Sequence, residues 1–141
     1  MNVSVKWTGN LSFKGVSGRT NAEVLMDTSV ENGGLGNGAS PMELVLMGLA
    51  GCSGIDAVSI LGKKRIAFDG LEILVQGERA SDHPKVFNKI NVVYRFSGSD
   101  LESKLKALED SIRLSMEKYC SVAGMLEHTA EITWQIEIEK N

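Results

Sequence analysis

Two cysteines, Cys52 and Cys120, are the side chains of this 141-residue sequence best suited to chemistry. They are too few for a disulfide scaffold, and in a reducing compartment such a pair is more often inert, redox-active or metal-binding than structural. Packing as a small buried hydrophobe is the usual fate of a free cysteine, so that reading stands beside the reactive one. Reactivity requires one sulfur made anionic by a cation or a helix N-terminus, and a second within disulfide reach of it. Cys120 precedes a run that reads as a helix start. Cys52 lies deep in an apolar run, where burial opposes ionisation and only a nearby cation reverses it.

Other chemistries are poorly supported. His83 sits beside Pro84 in a polar stretch and His128 near the end of a short helical run. Neither stands at ligand spacing from a cysteine or the other histidine, so no metal site is expected. No G-x-S-x-G elbow occurs, which removes the commonest serine hydrolase signal. "GLGNGA", residues 34–39, matches G-x-G-x-x-A, but loop residues separate it from the preceding strand, and Glu43 stands where a pyrophosphate would sit. It reads as a flexible loop, and no cofactor is expected.

The elements that must hold the cysteines follow from pattern. "VSVKWTG" alternates and turns at Gly9-Asn10 into "LSFKG", a hairpin signal, and "AEVLMD" offers a third strand. Thr28 to Ala39 is a glycine-rich connector of the long kind that is often functional. Ser40, Pro41 and Glu43 form S-x-x-E with proline at the first helical position, so Ser40 should cap a helix and Glu43 should reach back to it. From there Val45, Leu46, Leu49, Cys52, Ile55, Val58, Ile60 and Leu61 occupy nearly every face, which predicts burial all round, with Gly62 as terminator. "LEILVQGERA" and "FNKINVVYRFSG" read as a long strand pair. Asp100 is a candidate N-cap for a helix with Leu101, Leu105, Leu108, Ile112 and Tyr119 on one stripe; Ser121 is a candidate cap for a short helix; "TAEITWQIEIE" closes as a strand. The order β-β-β-α-β-β-α-α-β, in one domain over residues 1–141, favours an α+β fold. One chain of this size can hardly cover an all-apolar helix, so a homodimer with that helix between two chains is expected.

Net charge is −3 and 23% of residues are charged. Lys63-Lys64-Arg65, the one cationic cluster, suits a helix C-terminus, so nucleic acid is not expected as a partner. Leu44 to Leu61 is interrupted by Asp56 and three glycines and reads as a core helix rather than a membrane span. The N-terminus lacks a basic leader followed by an apolar run, which makes the cytoplasm the expected location.

"GASPMELVLMGLAGCSGIDAVSIL", "KYCSVAGML" and the element order resemble the OsmC/Ohr family of thiol-dependent hydroperoxide reductases, over nearly the whole chain. The resemblance implies an intertwined homodimer with crossing central helices, active sites at the subunit interface and no bound cofactor. It makes Cys52 the peroxidatic thiol, Cys120 the resolving thiol, and an external dithiol, often a lipoyl protein, the reductant. The family's arginine, which holds the cysteine as thiolate, falls nearest Arg19 in "SGRT". The glutamate that orients this arginine falls at Met42, so Glu43 is offset by one position, about 100° around a helix. The substrate implied is an organic hydroperoxide. The alternative is a non-catalytic protein that binds an apolar small molecule in a hydrophobic interface pocket.

Overall fold

The computed structural model describes residues 1–140. In chain order it contains β1 (Val3–Gly9), β2 (Ser12–Ser17), β3 (Glu23–Met26), α1 (Pro41–Lys63), β4 (Gly70–Arg79), β5 (Phe87–Ser97), α2 (Leu105–Leu114), α3 (Ser121–Leu126) and β6 (Glu131–Glu139). This is the α+β order that the sequence implies, with short 3-10 turns at Val30–Asn32 and Glu102–Lys104 and a π turn at Ser115–Tyr119. Contacts divide the chain into two compact units, Met1–Val45 and Leu46–Asn141.

In the first unit β1, β2 and β3 form an antiparallel sheet in that order. The β1–β2 turn takes left-handed backbone at Gly9 (φ 119°) and Asn10 (φ 47°), the two residue types that tolerate it best. The connector after β3 is not a loose loop. Asp27, only 2% exposed, accepts hydrogen bonds from Ser12 Oγ (2.8 Å) and from the amides of Thr28 (2.7 Å), Leu35 (3.3 Å) and Asn37 (3.2 Å). Gly34 is obligatory there, because a Cβ on it would collide with the Thr28 carbonyl. At the start of α1 the Ser40 amide donates to Glu43 Oε1 (2.9 Å) and the Glu43 amide to Ser40 Oγ (3.1 Å), the reciprocal cap expected from S-x-x-E.

In the second unit β4 pairs antiparallel with β5, and β5 pairs parallel with β6. Alternation puts Ile90, Val92, Tyr94 and Phe96 of β5 on the core face, each no more than 1% exposed. The parallel register sets Val92, Tyr94 and Phe96 against Trp134, Ile136 and Ile138 of β6. The opposite face is polar, with Arg95 bridging Glu72 (3.0 Å) and Glu137 (3.1 Å) in water, where such pairs contribute little to stability. Leu49, Ala57 and Leu61 of α1 are fully buried, as are Leu108 and Ile112 of α2. Gly54 permits a tight approach to β4, since a Cβ there would lie 2.8 Å from Ile73 Cδ1.

The single chain covers only one stripe of α1, as expected for one copy of this size: Met47 is 55% exposed, Ile55 74% and Val58 48%. Several other expectations need correction. Gly62 does not end the helix, which runs on to Lys63. Arg65 adopts the left-handed conformation (φ 58°) instead, with its amide on the Gly62 carbonyl and that of Ile66 on the Leu61 carbonyl, the paired 5→2 and 6→1 closure of a helix end. Asp100 is not an N-cap. Its own φ is 57°, and α2 follows the 3-10 turn without a side-chain cap. Tyr119 leaves the buried stripe and is 52% exposed, because the wider π turn shifts the side-chain phase after Leu114. The cap of α3 is Cys120 rather than Ser121.

Candidate functional site

Cys52 projects from the middle of α1, half-buried, next to the buried stripe formed by Leu49, Ser53, Ala57 and Leu61. Cys120 lies where the π turn meets α3, and is 4% exposed. A π turn closes its hydrogen bonds five residues back, and the Cys120 amide accordingly donates to the Ser115 carbonyl (2.8 Å). Its side chain caps the next helix, Sγ accepting from the Ala123 amide at 3.4 Å.

These elements bring the two cysteines together. Burial pushes the Cys120 thiol up to about 11. The Ala123 amide opposes that rise, contact with the neighbouring Cys52 side chain adds to it, and the Val122 amide again opposes it. Desolvation therefore outweighs the capping amides, and at neutral pH Cys120 is a protonated thiol. A sulfur of this kind does not start a nucleophilic attack, but it can react with a partner already oxidised beside it.

A buried hydroxyl network surrounds the pair. The Tyr94 hydroxyl donates to Ser53 Oγ at 2.7 Å, and Ser53 Oγ in turn donates to the Ala50 carbonyl (3.4 Å). Burial pushes the phenol up to about 12; the Ser53 contact opposes the rise, while Cys120 and Asp56 nearby add to it. Ser115, also fully buried, directs its hydroxyl at Asp56 Oδ2 (3.0 Å) and the Ser53 carbonyl (3.3 Å).

The other two sequence candidates lie in the first unit. Arg19 sits in the exposed turn between β2 and β3, its amide on Ser17 Oγ (3.3 Å), and its guanidinium has no ion pair among the described residues. Glu43 is exposed and engaged in the helix cap; hydrogen bonds from the Ser40 amide and then its side chain hold the carboxyl below the usual carboxylate range, against a smaller effect of burial. Arg19 and Glu43 are not paired with each other. Among the described residues no three His, Cys, Asp or Glu side chains gather into a metal-binding group. An open apolar groove of about 630 Å³ runs beside α1, lined by Gly51, Ile55, Val58, Leu71 and Ile73 among others.

The family model described as OsmC-like protein matches residues 34–135, a span that includes both cysteines. This chain belongs to the OsmC-like family. Protein YhfA of Escherichia coli K12 is 42% identical over 139 residues, covering 98% of each chain. A hypothetical protein from Aquifex aeolicus VF5 is 31% identical over 98% of this chain and 96% of its own, with a TM-score of 0.79. The organic hydroperoxide resistance protein OhrB of Bacillus subtilis shares the fold, with a TM-score of 0.65 and 19% identity over 96% of each chain.

Within this OsmC-like chain, sequence reasoning found both sulfurs but missed Ser53, Tyr94 and Ser115. A signal for the first existed: Ser53 and Asp56 are polar residues inside an otherwise apolar helix, and a buried polar group implies a partner. Nothing in the local pattern distinguishes Tyr94 from any other core aromatic of β5.

Proposed function

We propose that the chain is a thiol-dependent peroxidase that reduces organic hydroperoxides. The observation that carries this reading is the meeting of half-buried Cys52 with protonated, buried Cys120. The Cys52 thiolate attacks the terminal oxygen of ROOH; the O–O bond breaks, ROH leaves with a proton from solvent, and Cys52 becomes a sulfenic acid. Cys120 then displaces hydroxide from that sulfur, its own proton completes a molecule of water, and a Cys52–Cys120 disulfide forms. An external dithiol, such as a lipoyl protein, restores both thiols and is itself oxidised to a disulfide.

By the family resemblance, Arg19 is the arginine nearest the position of the cation that holds the first thiol as thiolate, whereas the family's orienting carboxylate falls at Met42 and Glu43 serves the cap of α1. The apolar groove and the exposed Met47, Ile55 and Val58 support a homodimer through α1. An exposed apolar face of this kind on a folded chain is a place for another protein, and a second copy presents the same surface. Ile55→Lys should then give monomer in sedimentation velocity while the wild type sediments as a dimer. The proposed location is the cytoplasm, where thiols are kept reduced.

The same groove supports a second reading, a non-catalytic protein that binds an apolar small molecule. Turnover of cumene hydroperoxide and of hydrogen peroxide with dithiothreitol, for wild type and Cys52→Ser, separates the two. The peroxidase reading expects faster consumption of the organic peroxide and loss of that activity in Cys52→Ser. Equal rates for the two proteins would leave only the binding reading.

A further inference from the structure

We infer that Ser115 is a positioning residue for the dithiol: its hydroxyl is anchored on α1 and its carbonyl on the Cys120 amide, so that this one residue sets how Cys120 meets Cys52. The inference rests on the dithiol reading above and deepens it.

Ser115 is fully buried and engaged at both ends. Its Oγ shares one proton between Asp56 Oδ2 (3.0 Å) and the Ser53 carbonyl (3.3 Å), both on α1, and Ser53 is the neighbour of Cys52. Its carbonyl accepts the Cys120 amide at 2.8 Å. A regular helix would pair that amide with residue 116, one position later, and turn Cys120 through about 100°. The π turn therefore aims Cys120, and the Ser115 hydroxyl fixes the π turn against α1. Ser53 is held from its other side by Tyr94 of β5, so the backbone beside Cys52 has little freedom to follow if Ser115 lets go.

An internal disulfide forms in proportion to the effective concentration of one thiol at the other, and that concentration depends on orientation as well as distance. Removal of the Ser115 hydroxyl loosens one side of the pair and should lower the equilibrium constant for disulfide formation. Ser111 is a matched control. It too is fully buried, but its hydroxyl bonds only to the Ala107 carbonyl of its own helix (2.7 Å).

The test equilibrates the full chain at pH 7 with graded ratios of reduced and oxidised dithiothreitol, traps free thiols by alkylation, and quantifies the Cys52–Cys120 disulfide by mass spectrometry. Ser115→Ala should lower the disulfide equilibrium constant about tenfold, a shift of about 30 mV for a two-electron couple, while Ser111→Ala stays within twofold of wild type. A change under threefold in Ser115→Ala, or an equal fall in Ser111→Ala, would overturn the inference. If Ser115→Ala fails to fold, Asp56→Ala, made at a half-buried position, decides. A threefold or larger fall supports the positioning role, and an unchanged constant refutes it. If wild type forms no internal disulfide at any ratio, the dithiol reading fails and takes this inference with it, an outcome distinct from a normal wild type with an indifferent Ser115→Ala.

Discussion

The Tyr94–Ser53 contact predicts an asymmetry between its two deletions. Both side chains are fully buried, the hydroxyl oxygens are 2.7 Å apart, and Tyr94 is the donor. In Tyr94→Phe the ring and its packing remain, and Ser53 still donates to the Ala50 carbonyl. The loss is one net hydrogen bond, about 1 kcal/mol. In Ser53→Ala the phenol stays in place without its acceptor, and a buried donor without a partner adds a desolvation cost of about 1–3 kcal/mol to that figure. Ser53→Ala should therefore cost roughly 2–4 kcal/mol against about 1 for Tyr94→Phe, and the double variant should be more stable than Ser53→Ala alone. Urea unfolding should show lower midpoints with unchanged slope, and the melting temperature of Tyr94→Phe should fall by about 3–4 °C. Equal costs for the two single variants, or a double variant that is simply additive, would refute the claim that this hydroxyl has no access to water. The phenol offers an independent check. Burial pushes it up to about 12, so folding favours its protonated form; the stability it contributes is complete below the ordinary tyrosine value of 10.0 and is lost as pH rises from there through about 12. Ultraviolet titration of the folded chain should show Tyr94 ionising last.

Three further outcomes follow. Ser40→Ala removes one half of the reciprocal cap on α1 and should destabilise the chain by about 1 kcal/mol in urea titration, whereas a neutral effect would mean the cap is redundant. Asp27, pushed up by burial but pulled lower overall by Ser12 and by the amides of Thr28, Asn37 and Leu35, has a folded pKa below 3.8. Its stabilisation is full above that value and disappears as pH falls through the folded pKa. Amide exchange at Leu35 and Asn37 should therefore accelerate in acid, and Asp27→Ala should show the fast exchange already at pH 7. Cys120, raised from 9.0 to about 11, should resist iodoacetamide in the reduced native chain until the pH passes 10. It contributes stability that is complete below 9.0 and declines as pH rises to about 11.

What could be read from the residues was local. The Ser40–Glu43 cap, the Gly9-Asn10 turn, the β-branched and aromatic run of β5 and the alternation in β6 each depend on a few neighbours in sequence, and each has the expected structure. The two thiols were legible as candidate chemistry, but their pairing came only through the family resemblance; in the structure Cys52 is a neighbour of Cys120. What was not legible depends on partners far along the chain. The π turn at Ser115–Tyr119 has no composition signal; its Ser115 is anchored on residues about sixty positions away, and the extra residue changes which side chains of the segment are buried. For that reason Tyr119 was misplaced and Ser115 missed. Asp100 and Arg65 have the same lesson in another form: a residue type suited to a cap took a left-handed turn, and an arginine took the position that glycine usually fills. The all-apolar pattern of α1 implies cover on every side, and the single chain supplies it along one stripe.

The most direct test of the central claim is a single turnover. Reduced, reductant-free protein is mixed with one equivalent of cumene hydroperoxide, and the alcohol and the protein disulfide are quantified by mass spectrometry. The account predicts one cumyl alcohol and one Cys52–Cys120 disulfide per chain consumed, with neither product formed by Cys52→Ser. Hydroperoxide left intact, or reduced without any link between these two sulfurs, would contradict it.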